Sequence, residues 1–104
     1  MMTPEESIII QENLFKDALE IIRKKRSDYS GDSDPFGNFR SSTLWGISPW
    51  RGAALRLMDK LARLKNLMSG KQAQVTDESI RDTVIDGINY LAIMYMLWLE
   101  QNEK

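Results

Sequence analysis

The chain has 104 residues, a net charge of −1, 42% hydrophobic and 28% charged residues, and neither Cys nor His. Such a balance suits one globular domain over residues 1–104, and it argues against strong binding to nucleic-acid polymers, which needs a surplus of Lys and Arg. Without Cys or His there is no disulfide, thiolate or imidazole, so acid–base or metal chemistry must run on carboxylates, Lys, Tyr or water.

Met1-Met2 leads straight into a helix start, with no basic-then-apolar leader pattern, so the expected compartment is the cytoplasm. Thr3 is the expected N-cap, Pro4 the first helical residue, and Glu6 lies three after the cap. The first helix is predicted from Pro4 to about Asp28. Ile10, Leu14, Ala18, Ile21 and Ile22, with Phe15 and Leu19, form its apolar stripe. It ends on Arg23-Lys-Lys-Arg26, which either balances the negative end of the helix dipole or binds phosphate.

Residues 30–47 carry Gly, Pro, Asp and Ser in a pattern that forbids a continuous helix. A connection beyond ~12–15 residues is usually functional or disordered. Phe36, Phe39 and Trp45 point to an ordered loop folded over something. Asp32 and Asp34 resemble part of a calcium loop, but the EF-hand spacing and its terminal Glu are missing, so calcium is discarded.

Ser48-Pro49 restarts helix, with Ser48 as N-cap and Pro49 first, running to about Ser69 before Gly70. Leu57, Leu61, Leu64 and Met68, with Met58 and Leu67, supply its expected core stripe. A second face holds Arg56, Asp59, Lys60 and Arg63, either a surface salt-bridge lattice or one half of a site.

The third helix, capped by Thr76 or Asp77, is predicted to run to about Gln101. The short connector 71–75 makes it an antiparallel neighbour of the second. In it Glu78, Asp82, Asp86 and Asn89 are spaced four, four and three, which stacks them on one face. A carboxylate ladder of this kind is either a solvated acidic face or needs a cation, from bound metal or from nearby Lys and Arg. The run Ile88 to Leu99 is apolar nearly all round but too short to span a bilayer. It is predicted to lie in an isologous subunit interface.

The motif set is Lys25-x-x-Asp28-Tyr29, Asp34-Pro-Phe-Gly-Asn-Phe39, Arg56-x-x-Asp59-Lys60-x-x-Arg63 and Asp77-Glu78-Ser79-x-x-Asp82-x-x-x-Asp86-x-x-Asn89-Tyr90. Over roughly residues 18–97 it resembles the small phage and bacterial nucleotide-modification-associated domain. That group is similar in turn to the MazG-like, all-α NTP pyrophosphohydrolases. The resemblance implies an all-α chain of long antiparallel helices with one long ordered loop. Such chains pack into a MazG-like oligomeric bundle, a homodimer or homotetramer, that binds nucleotide between its helices. In MazG-like enzymes, Glu-x-x-Glu on the second helix and Glu-x-x-Asp on the third hold magnesium on a triphosphate. Here those positions read Arg56-x-x-Asp59 and Asp82-x-x-x-Asp86.

As an enzyme, the implied activity is magnesium-dependent pyrophosphohydrolysis of (deoxy)nucleoside triphosphates. Asp59, Asp82 and Asp86 would be catalytic and, with Glu78, the metal ligands. Lys25, Arg56, Lys60 and Arg63 would meet the phosphates, and Tyr29, Phe39 or Trp45 would cover the base. As a non-catalytic nucleotide-sequestering protein, for instance of cyclic dinucleotide signals in antiviral defence, the same cations would hold phosphate directly. The acids would then orient them, and Asn89 would read a base edge. A third reading is a helical adaptor whose polar stripes are interhelical salt bridges, a poor stability device if buried. Set against the cationic second helix, the acidic ladder becomes half of a mixed site. This shifts weight from metal coordination toward phosphate recognition.

Overall fold

The computed structural model describes residues 1–29, 34–70 and 77–103, with backbone alone for 27–29, 77 and 78. The chain is all-helical, and no strand occurs among the described residues. The elements are α1 (Pro4–Tyr29), a short α2 (Gly37–Arg40) continued by a 3-10 turn (Ser41–Trp45), α3 (Pro49–Met68) and α4 (Asp77–Asn102).

Local signals set the helix ends. Thr3 Oγ1 accepts the Glu6 backbone N–H at 3.1 Å, satisfying one of the free donors at the start of α1. Ser48 takes the extended backbone of an N-cap before Pro49, and its carbonyl accepts the Gly52 N–H at 3.0 Å. Its hydroxyl makes no cap bond, however, and has no partner among the described residues. At the other end of α3, Gly70 adopts φ 67°, the left-handed conformation that stops a helix without a Cβ penalty. The expected connector 71–75 and the Thr76 cap lie outside the described residues; Asp77 opens α4.

α4 is the central helix, packing along α3 on one side and against α1 on the other. Ala53 shares a cluster with Ile93, Leu57 reaches Gly87, and Lys60 meets Asp86, so α3 and α4 run antiparallel. The core joins Phe39, Ala53, Ile93 and Leu97, with Ile22, Phe36, Trp50, Tyr90, Met94 and Met96 packed around it. The described part of the long loop, residues 34–47, is therefore a structural element: α2 delivers Phe39 into the core.

Contacts within residues 34–47 and one to α4 hold this segment. The Phe36 N–H donates to Asp34 Oδ1 at 3.0 Å, an Asx turn. Arg40 bridges Asp34 (2.6 Å) and Glu100 near the end of α4 (2.7 Å). The Ser42 hydroxyl lies 2.9 Å from the carbonyls of both Phe39 and Ile47. α3 approaches here so closely that a Cβ on Gly52 would stand 3.0 Å from Ser42 Cβ and Oγ.

The expected apolar stripes are only partly buried. On α1, Ala18 is buried and Leu14 and Ile22 half-buried, while Ile10, Phe15, Leu19 and Ile21 are exposed. On α3, Leu67 is buried and Leu57 and Leu64 half-buried, but Met58, Leu61 and Met68 are exposed. At the end of α4, Ile93 and Leu97 are buried, whereas Leu91, Tyr95, Trp98 and Leu99 are exposed. Two long helices packed on one central helix cover one side of each stripe and leave the other side free.

Candidate functional site

The end of α1, Pro35 with the short α2, Arg56 of α3 and the middle of α4 line one cleft. Its volume is about 320 Å³, and Ile22, Lys25, Arg26, Phe39, Arg56 and Asp86 line it, with Pro35, Asn38, Asn89, Tyr90 and Ile93. One wall is aromatic: the rings of Phe39 and Tyr90 meet edge to face at 6.3 Å. The Arg56 guanidinium lies over the Phe39 ring, 4.8 Å from its centroid.

The charged wall centres on Asp86. Lys60 Nζ forms an ion pair with its carboxylate at 3.1 Å, and Lys25 Nζ lies 3.9 Å away. The Asp86 side chain is 28% exposed and the two lysines 31% and 53%, so the cluster is wet and its pairing modest. With Arg26 and Arg56 on the same lining, the cleft and its edge carry four cations and one carboxylate. An anionic ligand entering here would meet a surplus of positive charge and displace little.

Each expected site residue has a definite place or lies outside the described side chains. Lys25, Phe39, Arg56, Asp86 and Asn89 come together in the cleft, with Lys60 at its edge on Asp86. Asn89 spends its amide on α1, where Nδ2 donates to the Ala18 carbonyl at 3.0 Å. Asp59, Arg63 and Asp82 are exposed and do not line the cleft. Trp45 is 83% exposed and lines a smaller outer cavity of about 180 Å³. Asn38, Phe39 and Arg56 line both cavities. The side chains of Tyr29 and Glu78 lie outside the described residues.

The acidic ladder splits because a four-residue step overshoots a 3.6-residue turn by about 40°. Asp86 faces the lysines while Asp82, one step earlier, has turned to solvent. Among the described residues no group of three acidic side chains is placed to hold a metal ion. A divalent ion at Asp86 would also have to displace two ammonium groups. Glu78, the remaining expected magnesium ligand, has its side chain outside the described residues.

Pro35, Asn38, Tyr90 and Ile93 also line the cleft, beyond the residues singled out for a role, and Arg26 joins them from the basic cluster read as dipole compensation or phosphate binding. Tyr90 and Ile93 follow Asp86 at spacings of four and seven, the same-face signal that would have marked them. Pro35 and Asn38 carry no such signal, since only the fold of the loop brings them in. Comparison of the chain with protein-family models, with characterised proteins and with solved structures finds no match. What the cleft can bind follows from its own chemistry.

Proposed function

We propose that the cleft binds a small phosphorylated ligand carrying a planar ring, a nucleotide, without needing a metal ion. One observation carries the reading: the cleft and its edge gather four cations against a single carboxylate, beside an aromatic wall. The cations suit phosphate oxygens, Arg56 and Arg26 in the bidentate way a guanidinium allows. The Phe39–Tyr90 wall and Ile22 suit the apolar flank of a base. A volume of about 320 Å³ sits at the lower end of the usual ~300–1,000 Å³ for ligand pockets, which fits one nucleotide rather than a polymer.

In this reading Asp86 positions Lys25 and Lys60 instead of holding magnesium, and the protein sequesters or senses its ligand. Calorimetry with ATP, AMP and inorganic phosphate, each in magnesium and again in EDTA, tests it. Nucleotides should bind more tightly than phosphate, equally well in EDTA, and Arg56→Gln should weaken them about tenfold, or ~1.4 kcal/mol. No heat with any nucleotide, or equal affinity for bare phosphate, overturns the reading. Monophosphate and pyrophosphate released in magnesium, and lost in Asp82→Asn, would instead assign NTP pyrophosphohydrolysis.

A further inference from the structure

Outside the cleft, the first half of α1 is bare: every residue from 4 to 13 is exposed. Ile8, Phe15 and Leu19 are about half exposed, at 57%, 50% and 48%. With Ile22 they recur at spacings of seven, four and three, the spacing of a helix-pairing seam. Beside the seam stand Glu5, Glu12, Lys16 and Arg23, at spacings of seven, four and seven. That spacing is the same read from either end, and reversing it exchanges each acid for a base. Among the described residues none of these four side chains has an ion-pair or hydrogen-bond partner within the chain.

We propose that a second copy of this chain docks on this surface, α1 against α1, antiparallel about a two-fold axis near residue 14. Glu5 then meets Arg23 of the second copy and Glu12 meets its Lys16, each contact made twice by symmetry. The seam residues Ile8, Phe15 and Leu19 are covered by their counterparts. All four charges lie on one flank of the seam; a parallel pairing would put the two copies' flanks on opposite sides and leave the charges unmatched, so the charge pattern selects the antiparallel one. Ile22 belongs to both the seam and the cleft wall, so the second copy's first turn arrives beside Lys25 at the cleft mouth. The pairing is independent of what the cleft binds.

Charge reversal of the full-length chain tests it, with mass read by light scattering and sedimentation and helix content by circular dichroism. The unaltered chain should reach twice its 12.0 kDa mass as its concentration rises. Glu12→Lys and Lys16→Glu should each weaken self-association several-fold with helix content intact. The two together restore the charge pairing and should recover it. Phe15→Glu should give a monomer. A monomer at every concentration, indifference to both single reversals, or a double variant no better than the singles overturns the proposal. So does self-association lost only on Tyr95→Glu or Trp98→Glu, which would move the interface to the end of α4.

Discussion

Replacing Asp86 by Asn separates two roles for this carboxylate by the sign of the effect. The Lys60 ammonium lies 3.1 Å from it. A phosphate oxygen on the far side of that ammonium would sit roughly 6 Å from the carboxylate. Two unit charges at that separation repel by ~0.7 kcal/mol at the dielectric constant of water and ~3 kcal/mol at an effective value of 20. Because Asp86, Lys60 and Lys25 are all partly exposed, the lower end applies, about 1 kcal/mol per ligand charge. Looser positioning of the two lysines returns a few tenths. The net expectation is nucleotide binding about threefold to fivefold tighter in Asp86→Asn, with the gain shrinking as salt screens the charges. Calorimetry at two salt concentrations reads this directly. A metal ligand or catalytic carboxylate would behave oppositely, so a tenfold loss of affinity, or a gain indifferent to salt, refutes the reasoning.

Two further outcomes follow from the loop. Gly52→Ala places a methyl 3.0 Å from Ser42 and should cost ~1–3 kcal/mol in urea unfolding as the loop shifts off α3; an unchanged midpoint would show that the contact yields freely. The Arg40 guanidinium, then the Phe36 N–H, hold the Asp34 carboxyl below the usual carboxylate range. Its folded value lies under its unfolded one, so its contribution is present above about pH 4 and is lost as pH falls through the lower folded value. Asp34→Asn should therefore lower stability at neutral pH and flatten its acid dependence, and parallel pH profiles for the two proteins would contradict the assignment.

The sequence was legible where the physics is local. Thr3, Pro4, Pro49 and Gly70 act within one helical turn, so the bounds of α1 and α3 fall within a residue of the positions read from them. The loop's aromatics likewise signalled an ordered segment, and Phe39 sits in the core. Burial was less legible. The stripes of α1 and α3 identify apolar faces, but which of Ala18, Phe15 and Leu19 is covered depends on where α4 crosses.

The candidate site shows the same division. Charge sign and helical face can be read from residue type and spacing, and these single out Lys25, Arg56, Lys60, Asp86 and Asn89. Pairing is another matter, because it depends on atoms brought together across dozens of intervening residues. The crossing of α1, α3 and α4 chose Asp86 over Asp82 as the carboxylate the lysines share. It also turned the Asn89 amide onto the Ala18 carbonyl and laid Arg56 on Phe39. Local chemistry alone determined that the chain is helical and carries opposed polar stripes. Only the packing of the helices, through angles and distances that no spacing encodes, decided which members of those stripes meet in the cleft.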